Sequence, residues 1–217
     1  AIGPSISGDT VLVAAGLYAG PGNRAIDFNG RSLTVRGSGA ASCIIDCAQQ
    51  ERAFALPSNL SATAVIEGFT FRNGKALNTG FGAYKGGAIY AQFTSLVVRD
   101  CVFEDGRAVS NGAAIFSERC ALTLERCRFV GNQSGPGGAV WASVAPSTIE
   151  ISDCQFVDNR GSSGGALYFS GPQTARIARC SFVENVATGN GGALYSASAT
   201  LFVDHVVFAG NTANRGG

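Results

Sequence analysis

Apolar and polar positions alternate along this chain in short runs, and the runs recur in one fixed order every 25–27 residues. The clearest member is a glycine-led phrase ending in alanine, an aliphatic and an aromatic: GGAIY from Gly86, GAAIF from Gly112, GGAVW from Gly137, GGALY from Gly164 and GGALY from Gly191. A second alternating run follows: LVV from Leu96, LTL from Leu122, IEI from Ile149, ARI from Ala175 and LFV from Leu201. Cys101, Cys127, Cys154, Cys180 and Val206 form the next column, then Phe103, Phe129, Phe156, Phe182 and Phe208, then Gly106, Asn132, Asn159, Asn185 and Asn211. Period-two alternation in short runs predicts strands, and no stretch carries the longer helical pattern of a βαβ unit.

Self-similarity at this period predicts a solenoid. Three strands per repeat, separated by glycine and asparagine corners, make one turn of a parallel β-helix, each coil pairing with the next at ~4.8 Å. Left-handed β-helices carry hexapeptide repeats, so the expected fold is all-β: a single right-handed parallel β-helix over residues 1–217, with about eight coils. Five regular coils fill 86–217. Residues 1–85 form looser coils, with AIDF from Ala25 and AFAL from Ala53 as degenerate phrases and LTVRG from Leu33 and AVIEGFTF from Ala64 as second runs. TVLVAAGLY from Thr10 reads as an opening strand, and Lys75–Lys85 as a loop between the two sections.

In this geometry equal positions stack into ladders of phenylalanine, cysteine and aliphatic side chains. Asparagine suits a corner because it tolerates left-handed backbone and because stacked amides hydrogen-bond from coil to coil. Glycine serves where φ is positive or where a side chain would collide.

Composition narrows the function classes. Hydrophobic residues make up 46% of the chain and charged ones 14%, which argues against disorder despite 30 glycines. A net charge of +1 without a basic run argues against a nucleic-acid partner or an anionic membrane surface. No apolar stretch reaches the ~18–20 residues that span a bilayer, so direct membrane insertion is not expected. The absence of a signal peptide and of methionine, and a final Arg215-Gly216-Gly217 where another phrase would begin, suggest an excerpt of a longer chain or a unit stacking on a neighbour.

Candidate chemistry is sparse. Asp100, Arg126, Asp153, Arg179 and His205 alternate in sign, as does Arg99 with Glu125, and read better as a cross-coil charge ladder than as a lyase site. Asp158 and Glu184 fall on neighbouring coils, near the ~5 Å separation of a retaining glycosidase pair. No third acid or histidine accompanies them, and a solvated rim is the preferred account. His205 is the only histidine. No catalytic residue, metal ligand or cofactor site is assigned.

The seven cysteines contain no CxxC pair. Cys101, Cys127, Cys154 and Cys180 are read as small apolar fillers, and Cys120 stays unassigned. Cys43 and Cys47 would form a disulfide if the chain turns between them; a straight strand would hold them ~13 Å apart and prevent it. Of the two sequons, Asn132 lies in the corner column and is expected to be sequestered, whereas Asn59 is the candidate glycosylation site.

The aromatic column carries the functional expectation. If the aliphatic column from Ile89 to Leu194 fills the tube, then Tyr90, Phe116, Trp141, Tyr168 and Tyr195 point outward as an exposed stripe that binds sugar rings or another protein. The alternatives are a stripe turned inward, or one covered by the Lys75–Lys85 loop.

The GGA-aliphatic phrase, with Phe and Asn at a fixed interval, resembles the repeats of the chlamydial polymorphic outer membrane proteins and, more broadly, pectate-lyase-like right-handed β-helices. The opening GDTVLVAAGLY resembles the start of many secreted β-helices, and the cysteine-laced, alanine-rich style is similar to large extracellular proteins of green algae. The resemblance implies a surface adhesin or structural protein more often than an enzyme. The leading expectation is therefore a non-enzymatic extracellular or cell-surface β-helix, structural or adhesive, in a fibre or appendage. Its partners would be other chains or copies of itself, end to end or lateral, and carbohydrate. The alternative is a carbohydrate-binding or polysaccharide-degrading protein; an autotransporter passenger would require a C-terminal barrel.

Overall fold

A computed structural model, describing residues 2–57, 63–78, 82–143 and 148–216, shows a stack of parallel coils. Among the described residues the first sheet holds eight strands, running from Thr10–Val13 and Thr34–Gly37 to Thr174–Ala178 and Thr200–Asp204. The second also holds eight, from Gly16–Ala19 and Cys43–Asp46 to Ser181–Val183 and Val207–Ala209. The third holds six, from Phe54–Leu56 to Leu194–Ser196, and carries the glycine-led phrases. A short fourth sheet joins Arg160–Gly161, Val186–Asn190 and Thr212–Arg215. Eight strands on two faces enclose seven full turns, close to the expected count.

The looser first section follows the same register. Phe71 pairs with Phe103, Thr34 with Val65, and Ile26 bridges Phe54, which pairs with Ile89. One expectation changes: TVLVAAGLY is two strands. Thr10–Val13 lies on the first sheet and Gly16–Ala19 on the second, with the corner at Ala14 and Ala15.

The interior is built of ladders. Phe103, Phe129, Phe156 and Phe182 stack at 4.7–4.8 Å between ring centroids and within 3° of parallel. The strand spacing of ~4.8 Å imposes that separation, and Phe71 and Phe208 extend the row at 5.0 and 5.1 Å. Asn132, Asn159 and Asn185 are buried beside it. Each Nδ2 donates to the Oδ1 of the next coil's asparagine, at 3.0, 2.9 and 2.9 Å, and each Oδ1 from Asn132 to Asn211 accepts the backbone N–H one coil back. Nδ2 also donates to the carbonyls of Phe103, Phe129 and Phe156. This consumes the Asn132 amide that a glycan would need.

The asparagines themselves do not supply the left-handed turn. Positive φ falls one residue earlier, at Asn73, Asp105, Gly131, Asp158, Glu184 and Gly210, with φ between 50° and 64°. A second left-handed column joins the first and second sheets at Gly68, Asp100, Arg126, Asp153, Arg179 and His205. At the phrase, the first glycine has positive φ in every copy, 59–67° from Gly86 to Gly191. The second is held by close approach: a Cβ on Gly165 would fall 2.0 Å from the Gly192 carbonyl oxygen.

All seven cysteines are buried free thiols. The expected Cys43–Cys47 disulfide is absent. Cys43–Asp46 is an extended strand, both side chains point inward, and the Cys43 thiol instead faces the Ala14 carbonyl at 3.4 Å. Burial pushes the Cys47 thiol up to about 12 and raises Cys101 well above the ordinary range, while hydrogen bonding with the neighbouring thiols of Cys127 and Cys180, ahead of burial, raises Cys154.

Candidate functional site

The aromatic column is continuous across the third sheet: Tyr90, Phe116, Trp141, Tyr168 and Tyr195 are register partners on successive coils. The inward–outward assignment follows from their neighbours. Val140 and Ala142 are buried on either side of the half-buried Trp141, and Leu167 and Phe169 likewise flank Tyr168. The aromatics therefore stand on the outer face.

The expectation of one exposed stripe is corrected for its first two members. Tyr90 is 3% exposed and Phe116 fully buried. The cover comes from Gly82 and Lys85, at the end of the expected loop, together with Arg52. The Arg52 guanidinium carbon lies 5.3 Å from the Tyr90 ring centroid and the Lys85 ammonium 4.7 Å from that of Phe116. Gly82 is pressed so close that a Cβ there would fall 2.4 Å from the Tyr90 ring. Arg52 is itself buried, donates to the Gly82 carbonyl at 3.1 Å and pairs with Glu51 at 3.3 Å. Burial first, then the Glu118 carboxylate, pushes the Tyr90 phenol up to about 12.

Below the cover the stack is tight: Tyr90 to Phe116 is 5.1 Å, and Phe116 to Trp141 is 4.6 Å with rings 5° from parallel. The column then opens. Trp141, Tyr168 and Tyr195 are all half-buried, and the two tyrosine rings lie 5.2 Å apart with a 32° tilt. The candidate site is this open half, three aromatic side chains at one register position on successive coils of a parallel sheet. Reasoning from sequence missed Arg52, whose only local signal is a basic residue placed just before a degenerate phrase.

The other candidates are dispersed. Arg126 makes a two-point contact with Asp100 at 2.8 and 3.0 Å, and Arg179 with Asp153 at 2.8 Å twice. These pairs hold each carboxylate below its usual range. Arg99 meets Glu125 at 3.1 Å and His205 meets Asp204 at 2.7 Å on the surface. Asp158 and Glu184 occupy neighbouring coils, but Asp158 is bound to Arg160 at 2.8 Å and Glu184 is exposed. Among the described residues no three His, Cys, Asp or Glu side chains are grouped as a metal site. Asn59 lies outside the described residues.

Parallel coils, laddered cores and repeated corners define a β-solenoid. The family model for the right-handed β-helix region matches residues 22–213, and the chain belongs to that family. No curated protein and no solved structure gives a significant match.

Proposed function

We propose that the protein is a non-enzymatic, extracellular structural or adhesive element, a β-helical rod of a surface fibre or appendage that presents the open half of its aromatic ladder to a partner. The observation that carries this reading is the division of one in-register column into a sealed stretch, Tyr90 and Phe116, and an open stretch, Trp141, Tyr168 and Tyr195. Contiguous outward aromatics on a rigid support are what interaction faces use, because ring area is desolvated with little loss of side-chain freedom. The charges on the first sheet and its corner fit a scaffold as well: Arg99, Arg126 and Arg179 are engaged with carboxylates on neighbouring coils rather than converging on one point. An extracellular placement rests on the resemblance to surface proteins, and thiols that are all buried, shielded from oxidants, fit it.

A carbohydrate ligand is the second reading, favoured by the same aromatic side chains. The test compares the wild-type protein with Trp141→Ala/Tyr168→Ala for retention on immobilised neutral and acidic polysaccharides and on intact cells. Circular dichroism checks that the fold is kept. Loss of retention in the variant supports the ladder as the contact. Polysaccharide cleavage by the wild type that disappears in Asp158→Asn/Glu184→Gln would replace the scaffold reading with an enzymatic one.

A further inference from the structure

Two outward columns flank the buried asparagine ladder, and their charges are segregated by sign. The left-handed corner column reads Asn73, Asp105, Gly131, Asp158, Glu184 and Gly210 on six successive coils. Two residues further along each coil, the second column reads Lys75, Arg107, Gln133, Arg160, Val186 and Thr212. Acids occupy only the first column and bases only the second.

Lys75 directly opposes Arg107, and Asp158 is the coil neighbour of Glu184. Like charges set opposite each other on paired strands are unfavourable. On the first sheet the same molecule avoids this by alternation: Arg36 pairs with Glu67, Arg99 with Glu125, and Arg176 with Glu150. Among the described residues Lys75, Asp105, Arg107 and Glu184 make no ion pair; Arg107 hydrogen-bonds to Gln133, and the one internal pair of the strip joins Asp158 to Arg160.

We infer that two copies of this chain pair side by side and parallel along this strip. A two-fold axis running along the rod, between the copies, exchanges the two columns and keeps the coil order. Asp105 of each copy then faces Arg107 of the other, and Asp158 faces Arg160, so four opposite-charge contacts form. Lys75 faces Asn73, Glu184 faces Val186, and no like charges meet. The symmetry repeats each match, as an isologous interface requires. An antiparallel pair fails, because a two-fold axis across the strip sets each column against itself. Centred on the coil of Gly131, it would oppose Asp105 to Asp158 and Arg107 to Arg160. Sliding parallel copies by one coil loses all four contacts, leaves only two new ones, Lys75 to Asp105 and Arg160 to Glu184, and breaks the closed symmetry. The strip spans five coil steps, ~24 Å. Beside it lies a shallow groove of about 410 Å³ lined by Ala76, Ala108, Val109 and Gly135, which adds apolar surface to the contact. Exposed charges dominate, so the association is salt-sensitive.

The test uses the 217-residue chain and two charge reversals, Asp105→Lys and Arg107→Glu, by sedimentation equilibrium. The wild type is expected to dimerise at low salt, with a dissociation constant that rises about tenfold or more in 0.5 M salt. Each single variant is expected to be monomeric, since each homodimer sets two like pairs together. A 1:1 mixture of the two variants should form a heterodimer, because one contact becomes Lys–Glu and the other stays Arg–Asp. The double variant should dimerise like the wild type. Carbodiimide coupling of the mixture should join the two substituted positions across the interface, which only the parallel arrangement brings together. A wild type monomeric at millimolar concentration and low salt overturns the inference. So does a mixture that stays monomeric, or single variants that associate as the wild type does, which would assign the contact to the ends of the rod.

Discussion

Replacing Asn159 by alanine breaks four hydrogen bonds in the middle of the corner ladder. The Asn159 Oδ1 accepts from the Asn132 backbone N–H at 3.1 Å and from Asn132 Nδ2 at 3.0 Å, while its Nδ2 donates to the Phe129 carbonyl at 3.1 Å and to Asn185 Oδ1 at 2.9 Å. Asn132 Nδ2 keeps the Phe103 and Val130 carbonyls, but the buried Asn132 N–H is orphaned. One unsatisfied buried donor costs about 1–3 kcal/mol, and each further lost bond about 0.5–1.5. The expected loss is about 2.5–7.5 kcal/mol, or a fall in Tm of about 5–30 °C for a chain of this size.

Thermal denaturation followed by circular dichroism reads the total, and hydrogen exchange at the Asn132 amide reads the site. Asn159→Asp adds a sign. Its carboxylate keeps the acceptor for Asn132 N–H but loses both donors and faces Asn185 Oδ1 in a buried site, so its folded pKa lies above the ordinary ~3.9. The folded state then binds more protons than the unfolded state. Stability is retained below ~3.9 and is lost as pH rises through the folded pKa. A loss below about 1 kcal/mol for the alanine variant, or a stability of the aspartate variant that follows the wild type from pH 4 to 7, would refute the ladder's energetic role.

Two other expectations concern the cover and the thiols. Gly82→Ala places a Cβ at 2.4 Å from the Tyr90 ring on a backbone of φ +67°, so it should lift the cover and move the Tyr90 phenol from about 12 toward the ordinary ~10. The difference in alkaline ultraviolet titration between each protein and its Tyr90→Phe counterpart reads this, and an unmoved phenol would show that Gly82 is not part of the cover. The seven buried thiols should react with a disulfide reagent at pH 8 only on unfolding, all seven together with the loss of β-structure; fast reaction of any one in the native protein contradicts the burial.

The ladders are legible in the sequence because each demands one residue type at one interval. Phenylalanine at 103, 129, 156 and 182, asparagine at 132, 159 and 185, and the paired glycines repeat a physical constraint once per coil. Corner conformation is less legible. A left-handed turn tolerates Asn, Asp, Glu and Gly in the column before the asparagines, and Asp, Arg, His and Gly in the column between the first and second sheets, when flanking strands fix it, so both columns vary in type while φ stays positive. The cover over Tyr90 and Phe116 has no local signature. Arg52 reaches Gly82 across 30 residues, and that contact arises only when irregular coils are wound onto regular ones. Cys43 and Cys47 are ambiguous for a related reason, since only the run of strand between them decides whether they can meet.

The Asn159 hydrogen bonds reach only 26 to 30 residues along the chain, to the coils on either side. The molecule is therefore modular in length. Adding or deleting one whole coil in the regular section would lengthen or shorten the rod by ~4.8 Å and leave each remaining ladder intact, whereas inserting one residue inside a strand would reverse the facing of every later side chain in that strand. Duplication of a single repeat is thus the natural unit of change for this chain, and it acts on reach rather than on chemistry.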